Sequence, residues 1–200
     1  MALARHEITT RGVIIGRASS GEGSVRVSLY TEALGLVGAL AKSGREERSK
    51  LRPHLQTGSY GTYSLVRGAS SWRVVGVAWT KNPYTALEGD TAEHARATAR
   101  VLSVMRQLVH GEAPAPELFD TLWDFLDAVP HLSASETHVA ERLAMVRILT
   151  ALGYVPALSD IPRLAEATFA PDMLQALAPF EKRMVRAINE ALIASELTHT

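Results

Sequence analysis

The strongest constraint on the fold is a change of period at Asn82-Pro83: the residues before it alternate as strands do, and those after it follow helical spacing. The run SVRVSLYT sends Val25, Val27 and Leu29 one way and Arg26, Ser28 and Tyr30 the other. EITTRGVIIGRA, rich in Ile, Thr and Val, suits a pleated surface. The turn-forming SSGEG separates these two strands. LGLVGALAK reads as a third strand. YGTYSLVRG and SSWRVVGVAWT read as a fourth and fifth, joined by a turn over 68–71. Five short strands with an irregular stretch after the third predict a small closed or nearly closed barrel, which leaves no open sheet edge.

Beyond Pro83 the apolar residues recur at helical intervals. Asp90 with Glu93 forms an acidic variant of a capping box ahead of TAEHARATARVLSVMRQLVHG, which stops at Gly111. PELFDTLWDFLDAV begins with Pro116, a favourable first helical residue, and lines up Leu118, Leu122, Phe125, Leu126 and Val129 in one stripe. SETHVAERLAMVRILTALGY is apolar on nearly every side apart from Glu141, Arg142 and Arg147, which predicts a buried central helix. Pro156 and Pro162 mark a loop and a short helix, and APFEKRMVRAINEALIASEL closes the chain as an amphipathic helix. The boundary between the two halves falls near residues 81–86.

Charge follows the same division. Formal net charge is zero, yet residues 1–82 hold 12 cations and 5 carboxylates while residues 83–200 hold 9 cations and 16 carboxylates. The halves therefore carry +7 and −7. A field of one sign concentrates ligands of the other, so the first half is suited to a polyanion. Its densest stretch is AKSGREERSK, where Lys42, Arg45, Arg48 and Lys50 outnumber Glu46 and Glu47. The alternative is an ordinary solvated connection between strands.

Other classes of chemistry have no support. There is no cysteine, which excludes disulfides and thiolate metal sites. Gly16 and Gly21 have the separation of a phosphate loop, but Glu22 stands where its lysine must be. GEGSVR lacks the third glycine of a dinucleotide fingerprint, no nucleophile elbow is present, and no two histidines are spaced as helical metal ligands. The residues offer no catalytic constellation, and an enzyme is not expected. MALARHEITTRG lacks the apolar core of a secretory signal and no apolar run has membrane-spanning length, which predicts a cytoplasmic protein. What the first half does offer is cations interleaved with Tyr30, Tyr60, Tyr63, Trp72 and Trp79, the two ingredients of single-stranded nucleic-acid binding. Trp72 and Trp79 are seven apart, so an ideal strand places them on opposite faces. One ring is then in the core and the other outside, in either order.

The run GEGSVRVSLYTEALGLVGALAKSGREERSKLRPHLQTGSY resembles the N-terminal module of the RecO recombination mediators. The likeness includes a glycine-glutamate turn before a strand ending in Leu-Tyr-Thr, then Gly35-Leu36, the Ala41-Lys42-x-Gly44 step, the basic loop and Leu55-Gln56. PELFDTLWDFLDAV and LTALGYVPAL fall where that family has helices and a Leu-Gly-Tyr-x-Pro signature. The resemblance implies an α+β chain of two modules: a five-stranded OB-fold barrel over 1–81 and an all-α domain over 82–200. It implies binding of single- and double-stranded DNA, annealing of complementary strands, and work with RecR, and with RecF in many members, to load recombinase onto DNA covered by single-strand-binding protein. By the same resemblance DNA-binding cations are expected at Lys42 and Arg45, with Arg48 and Lys50 in the same loop and Arg26 and Arg52 beside it. The acidic C-terminal tail of single-strand-binding protein is expected on the helical domain, near Arg96 and Arg100 or Arg142 and Arg147.

Two departures matter. Many members hold zinc through four cysteines, whereas here LGYVPAL runs into SDIP with no cysteine at all, so neither metal nor other cofactor is expected. The chain is also short for the family, as though that region were trimmed. Thr57 stands where a proline is common. Two readings from other classes stand beside this one: a barrel that serves as an adaptor for an acidic protein, and an RNA-binding module.

Overall fold

The computed structural model describes residues 7–21, 23–42, 49–69, 71–85, 91–156, 161, 164 and 166–195. Arg45, Arg48, Glu46, Glu47 and the cap residue Asp90 lie outside them. The chain divides into two compact units, one of Met1–Asn82 with His110–Pro116 and one of Pro83–Val109 with Glu117–Thr200. The sequence suggested a single division at 81/82; the short connector 110–116 instead groups with the first unit.

That first unit is a barrel of five strands: β1 (Glu7–Ser20), β2 (Ser24–Thr31), β3 (Gly35–Ala41), β4 (Tyr60–Arg67) and β5 (Trp72–Lys81). They close in the order β1-β2-β3-β5-β4. All neighbours are antiparallel except β3 and β5, whose parallel contact is limited to Ala39 with Trp72 and Leu40 with Arg73. This is the OB arrangement. β1 can serve two partners because it is long and bulged: Glu7–Val13 pairs with β4, Gly12–Ser20 pairs with β2, and the register shifts between Ile14 and Gly16. A bulge sharpens the local twist, which bends one strand around a barrel. The inward positions match the alternation of the sequence. Val25, Val27, Leu29, Val37, Ala39, Ala41, Leu65 and Val74 fill the interior with Ile14, Tyr63 and Trp72. Leu55 joins them from a short 3-10 helix over Arg52–Leu55. Each large aliphatic side chain buried here contributes about 1.5–3 kcal/mol.

The connector joins the barrel through backbone and side chain alike. Leu36 N–H donates to the Gly111 carbonyl at 3.1 Å, and the Arg67 guanidinium holds both Glu112 carboxylate oxygens at 2.7 and 2.6 Å. Gly35, at φ +70°, faces the Ala113 backbone so closely that a Cβ would collide with it. Only glycine meets both demands.

The second unit is helical: α1 (Thr91–Leu108), α2 (Pro116–Ala128), α3 (Ala134–Ala151), α4 (Pro171–Leu177) and α5 (Glu181–Ala194). α3 is the central element, with α1, α4 and α5 against it. Ser133 caps it in a full capping box with Glu136. The stripe on α2 is buried throughout, and Phe125 meets the Phe169 ring edge-on at 5.8 Å. His94, fully enclosed, donates from Nε2 to the Leu132 carbonyl at 2.8 Å and so fastens α1 to the turn before α3. Among the described residues no helix is long and apolar enough to cross a membrane.

Candidate nucleic-acid interface

The outer surface of β1, β2 and β3 is built from small residues around one cation. Cross-strand pairing sets Gly16, Ser28 and Gly38 in one row, and Ala18, Arg26, Leu40 and Arg73 in the next, running onto β5. Gly38 is open outward, with nothing within 4 Å of where a Cβ would stand. The result is a flat lane in which Arg26 is exposed and the backbone can be approached closely. Lys42 follows directly on β3, exposed at the end of that lane. Lys50 and Arg52 are exposed around the start of the 3-10 helix. Arg17, on the far half of β1, reaches the Gln56 side-chain oxygen at 3.3 Å, while the Gln56 amide donates to the Arg52 carbonyl at 3.0 Å. These bonds tie the end of β1 to the 3-10 helix.

Charge pairing divides the cations of the barrel into two groups. Arg11 donates from Nε and Nη2 to Glu32 at 2.9 and 2.7 Å, and this bidentate contact holds the Glu32 carboxyl below its usual range. Arg67 is held by Glu112 and lies over the Trp72 ring, 5.0 Å from its centre. By contrast Arg17, Arg26, Lys42, Lys50, Arg52 and Arg73 form no ion pair with any described carboxylate. Four of these, Arg26, Lys42, Lys50 and Arg52, are positions expected from sequence. Arg17 and Arg73 were not. The strand register that sets Arg73 beside Leu40 could have pointed to it, but that register rests on a parallel contact with no local signature.

The aromatic side chains distribute otherwise than their sequence pattern suggests. Tyr30, Tyr60, Tyr63 and Trp72 are all buried. Burial pushes the Tyr30 hydroxyl up to about 12 and that of Tyr63 higher still. Tyr30 shares the outward phase of β2 with Arg26, yet it is covered, and its hydroxyl lies 3.5 Å from the Ala115 carbonyl of the connector. Trp72 is the core tryptophan and Trp79 the exposed one. Two register shifts between β4 and β5 each reverse the phase of the strand, so they cancel and leave the rings on opposite faces.

Arg96, Arg100, Arg142 and Arg147 are committed within the helical unit. Arg96 and Arg100 both donate to Glu93 at 3.1 Å, and Arg100 also holds Glu141 through Nε and Nη2 at 2.5 and 2.6 Å. Glu141 is only 7% exposed, and the arginine supplies the charge that makes a carboxylate tolerable there. Desolvation pushes the Glu93 carboxyl up, but the hydrogen bonds from Arg96 and Arg100 outweigh it and hold it below the usual range. Arg142 Nε lies 2.9 Å from Glu181, an ion pair without hydrogen-bond alignment, and its Nη1 donates to the His138 carbonyl. Arg147 donates to the Ala167 carbonyl at 2.9 Å. Glu93, His138 and Glu141 bring possible metal-ligand atoms within 4.8 Å of one another, but both carboxylates already serve Arg100.

Residues 2–81 match the family described as Recombination protein O N terminal. The DNA repair protein RecO of Dehalococcoides mccartyi strain 195 is 28% identical over 155 residues, 78% of this chain and 60% of that protein. Its namesake from Acetivibrio thermocellus is 23% identical over 81% of this chain and 63% of its own length. That from Chlamydia trachomatis serovar L2 is 25% identical over 62% of this chain and half of its own. The chain thus spans between half and 63% of the length of these curated relatives. The family match covers the whole barrel, the strand order is that of an OB fold, and the similarity to the relatives extends into the helices: the barrel is similar to the N-terminal domain of the RecO proteins, and the similarity to them continues beyond it.

Proposed function

We infer that this chain binds DNA through its barrel and serves DNA repair as a recombination mediator, annealing complementary strands and helping recombinase onto DNA covered by single-strand-binding protein. The observation that carries this reading is the set of unpaired cations beside the flat β1–β2–β3 lane. Two DNA strands repel through dense like charge, and a surface that neutralises phosphates lowers that repulsion. Backbone contacts leave base edges free to pair, so annealing follows without base readout and without any nucleophile. On this reading the protein makes and breaks no covalent bond.

RecR and RecF are proposed partners on the strength of the family. The acidic tail of single-strand-binding protein is proposed for the helical unit, where it must compete with Glu93, Glu141 and Glu181 for the arginines. Titrating a labelled tail peptide against charge-reversed Arg96/Arg100 and Arg142/Arg147 variants tests that part; binding unchanged in both places the tail elsewhere. The main test is a gel shift with single-stranded DNA, duplex DNA and RNA of one sequence, joined to a strand-annealing assay. Retardation of DNA with faster annealing is expected. Preference for RNA would favour an RNA-binding module, and no nucleic-acid binding at all would favour an adaptor for acidic proteins.

A further inference from the structure

The outer edge of β3 is only partly covered by strand. β5 meets it at Ala39 and Leu40 and at no other described residue, so residues 35–38 have no strand neighbour on the side away from β2. An unpaired strand edge is a template for any extended chain, and folded proteins cover it. Here residues 110–116 do so. The Leu36 N–H donates to the Gly111 carbonyl at 3.1 Å, which continues the seam that β5 makes at Ala39. Glu112 is held by Arg67, whose guanidinium stands over Trp72 at the start of the β3–β5 contact. Ala113 fits against Gly35, where any Cβ would meet its backbone. The Ala115 carbonyl lies 3.5 Å from the Tyr30 hydroxyl.

The covering segment and what it covers differ in exposure. Gly111, Glu112, Ala113, Pro114 and Pro116 are exposed, whereas Tyr30, Gly35 and Trp72 of the barrel are buried. The ion pair is itself about half exposed on both sides, so it adds little stability and weakens with salt. A segment fastened by exposed contacts opens locally, far below the cost of unfolding the strands under it. We propose that residues 110–116 form a releasable strap: they seal the outer edge of β3 within the same chain, latched by Glu112 on Arg67, and they open while the five strands stay paired. Opening uncovers Tyr30 and residues 35–38 without dismantling the barrel. The strap stands or falls independently of DNA binding.

Hydrogen exchange of single amides, in the full chain without nucleic acid, tests it. The Leu36 amide reports the strap, because its acceptor is Gly111. Since Leu36 points its N–H away from β2, alternation gives the β2–β3 hydrogen bonds to Leu29 and Val37, whose amides report the barrel. In the parent, Leu36 should exchange faster than Leu29 and Val37, yet slower than an unstructured peptide. Raising salt should speed Leu36 alone. Glu112→Gln should speed Leu36 by about twofold to fivefold, the worth of one exposed ion pair, and remove its salt dependence. Gly35→Ala should free Leu36 almost completely, and the Tyr30 hydroxyl, at about 12 in the parent, should then titrate nearer to 10.0. If Gly35→Ala does not fold, the salt series and Glu112→Gln still decide. Leu36 exchanging in step with Leu29 and Val37 under every condition overturns the strap, because the segment then opens only with the barrel. A Leu36 amide unprotected in the parent overturns it as well, because the edge is then not sealed.

Discussion

Six cations of the barrel and four arginines of the helical unit stand in opposite situations. In the helical unit Arg96, Arg100, Arg142 and Arg147 reach carboxylates or backbone carbonyls of their own unit, and Arg100 exists largely to make the buried Glu141 tolerable. In the barrel two arginines are used in this way, Arg11 and Arg67, and six further cations are not. Net charge alone does not explain the difference. A cation already paired is a structural part, and removing it leaves a stranded carboxylate; a cation with no partner costs the fold little to lose and is available to a phosphate.

Breaking each class of cation should therefore give opposite results. Arg26→Ala, Lys42→Ala, Lys50→Ala and Arg52→Ala together should reduce affinity for single-stranded DNA by about two orders of magnitude near physiological salt, if each cation neutralises one phosphate. The melting temperature should hold, because exposed substitutions away from special features rarely matter to stability. Unaltered binding would deny the lane its role. The reverse pattern is expected for Arg96→Glu with Arg100→Glu: a loss of about 1–3 kcal/mol in urea unfolding, the lower part of the range being favoured because Arg100 is about half exposed, and DNA affinity within about a factor of two of the parent. Loss of DNA binding there at intact stability would erase the distinction.

The pH dependence of stability sharpens the same comparison. The Glu93 and Glu136 carboxyls sit below the ordinary value of 4.5, so their contribution is complete above that pH and lost as pH falls through the folded value. Glu32 of the barrel behaves alike, but it is half exposed and adds less. The Tyr30 hydroxyl is raised from 10.0 to about 12, so its contribution is complete below pH 10 and lost as pH rises towards 12. Stability followed by urea titration should thus fall on both sides. Ser133→Ala should soften the acid limb at a cost of about 1 kcal/mol, and Tyr30→Phe should soften the alkaline limb only. Exchange of those effects would contradict the assignment. The smallest effect concerns metal: a chelator should leave the melting temperature where it is, and elemental analysis should find no stoichiometric zinc.

Much of this was legible from local pattern. Val25, Val27 and Leu29 announce β2, and Leu118, Leu122 and Phe125 announce α2, because a single period fixes which face is buried. The six unpaired cations were partly legible, since a surplus of positive charge cannot all be paired within the barrel. What the pattern could not carry is long-range. The two-residue parallel seam of β3 and β5 has no periodic signature, and Arg73 was missed with it. Tyr30 looks outward until the connector covers it at Ala115, 85 residues later. Glu141 stood out as a charge on an apolar helix, but its partner is 41 residues earlier.

The central claim is that the barrel binds the phosphates of DNA with its unpaired cations, and the salt dependence of binding measures this directly. With about four phosphates neutralised on single-stranded DNA, the slope of log affinity against log salt should be about −3 for the parent chain. It should flatten towards zero when Arg26, Lys42, Lys50 and Arg52 are all alanine. A parent slope near zero, or a steep slope that survives those four substitutions, would contradict the account.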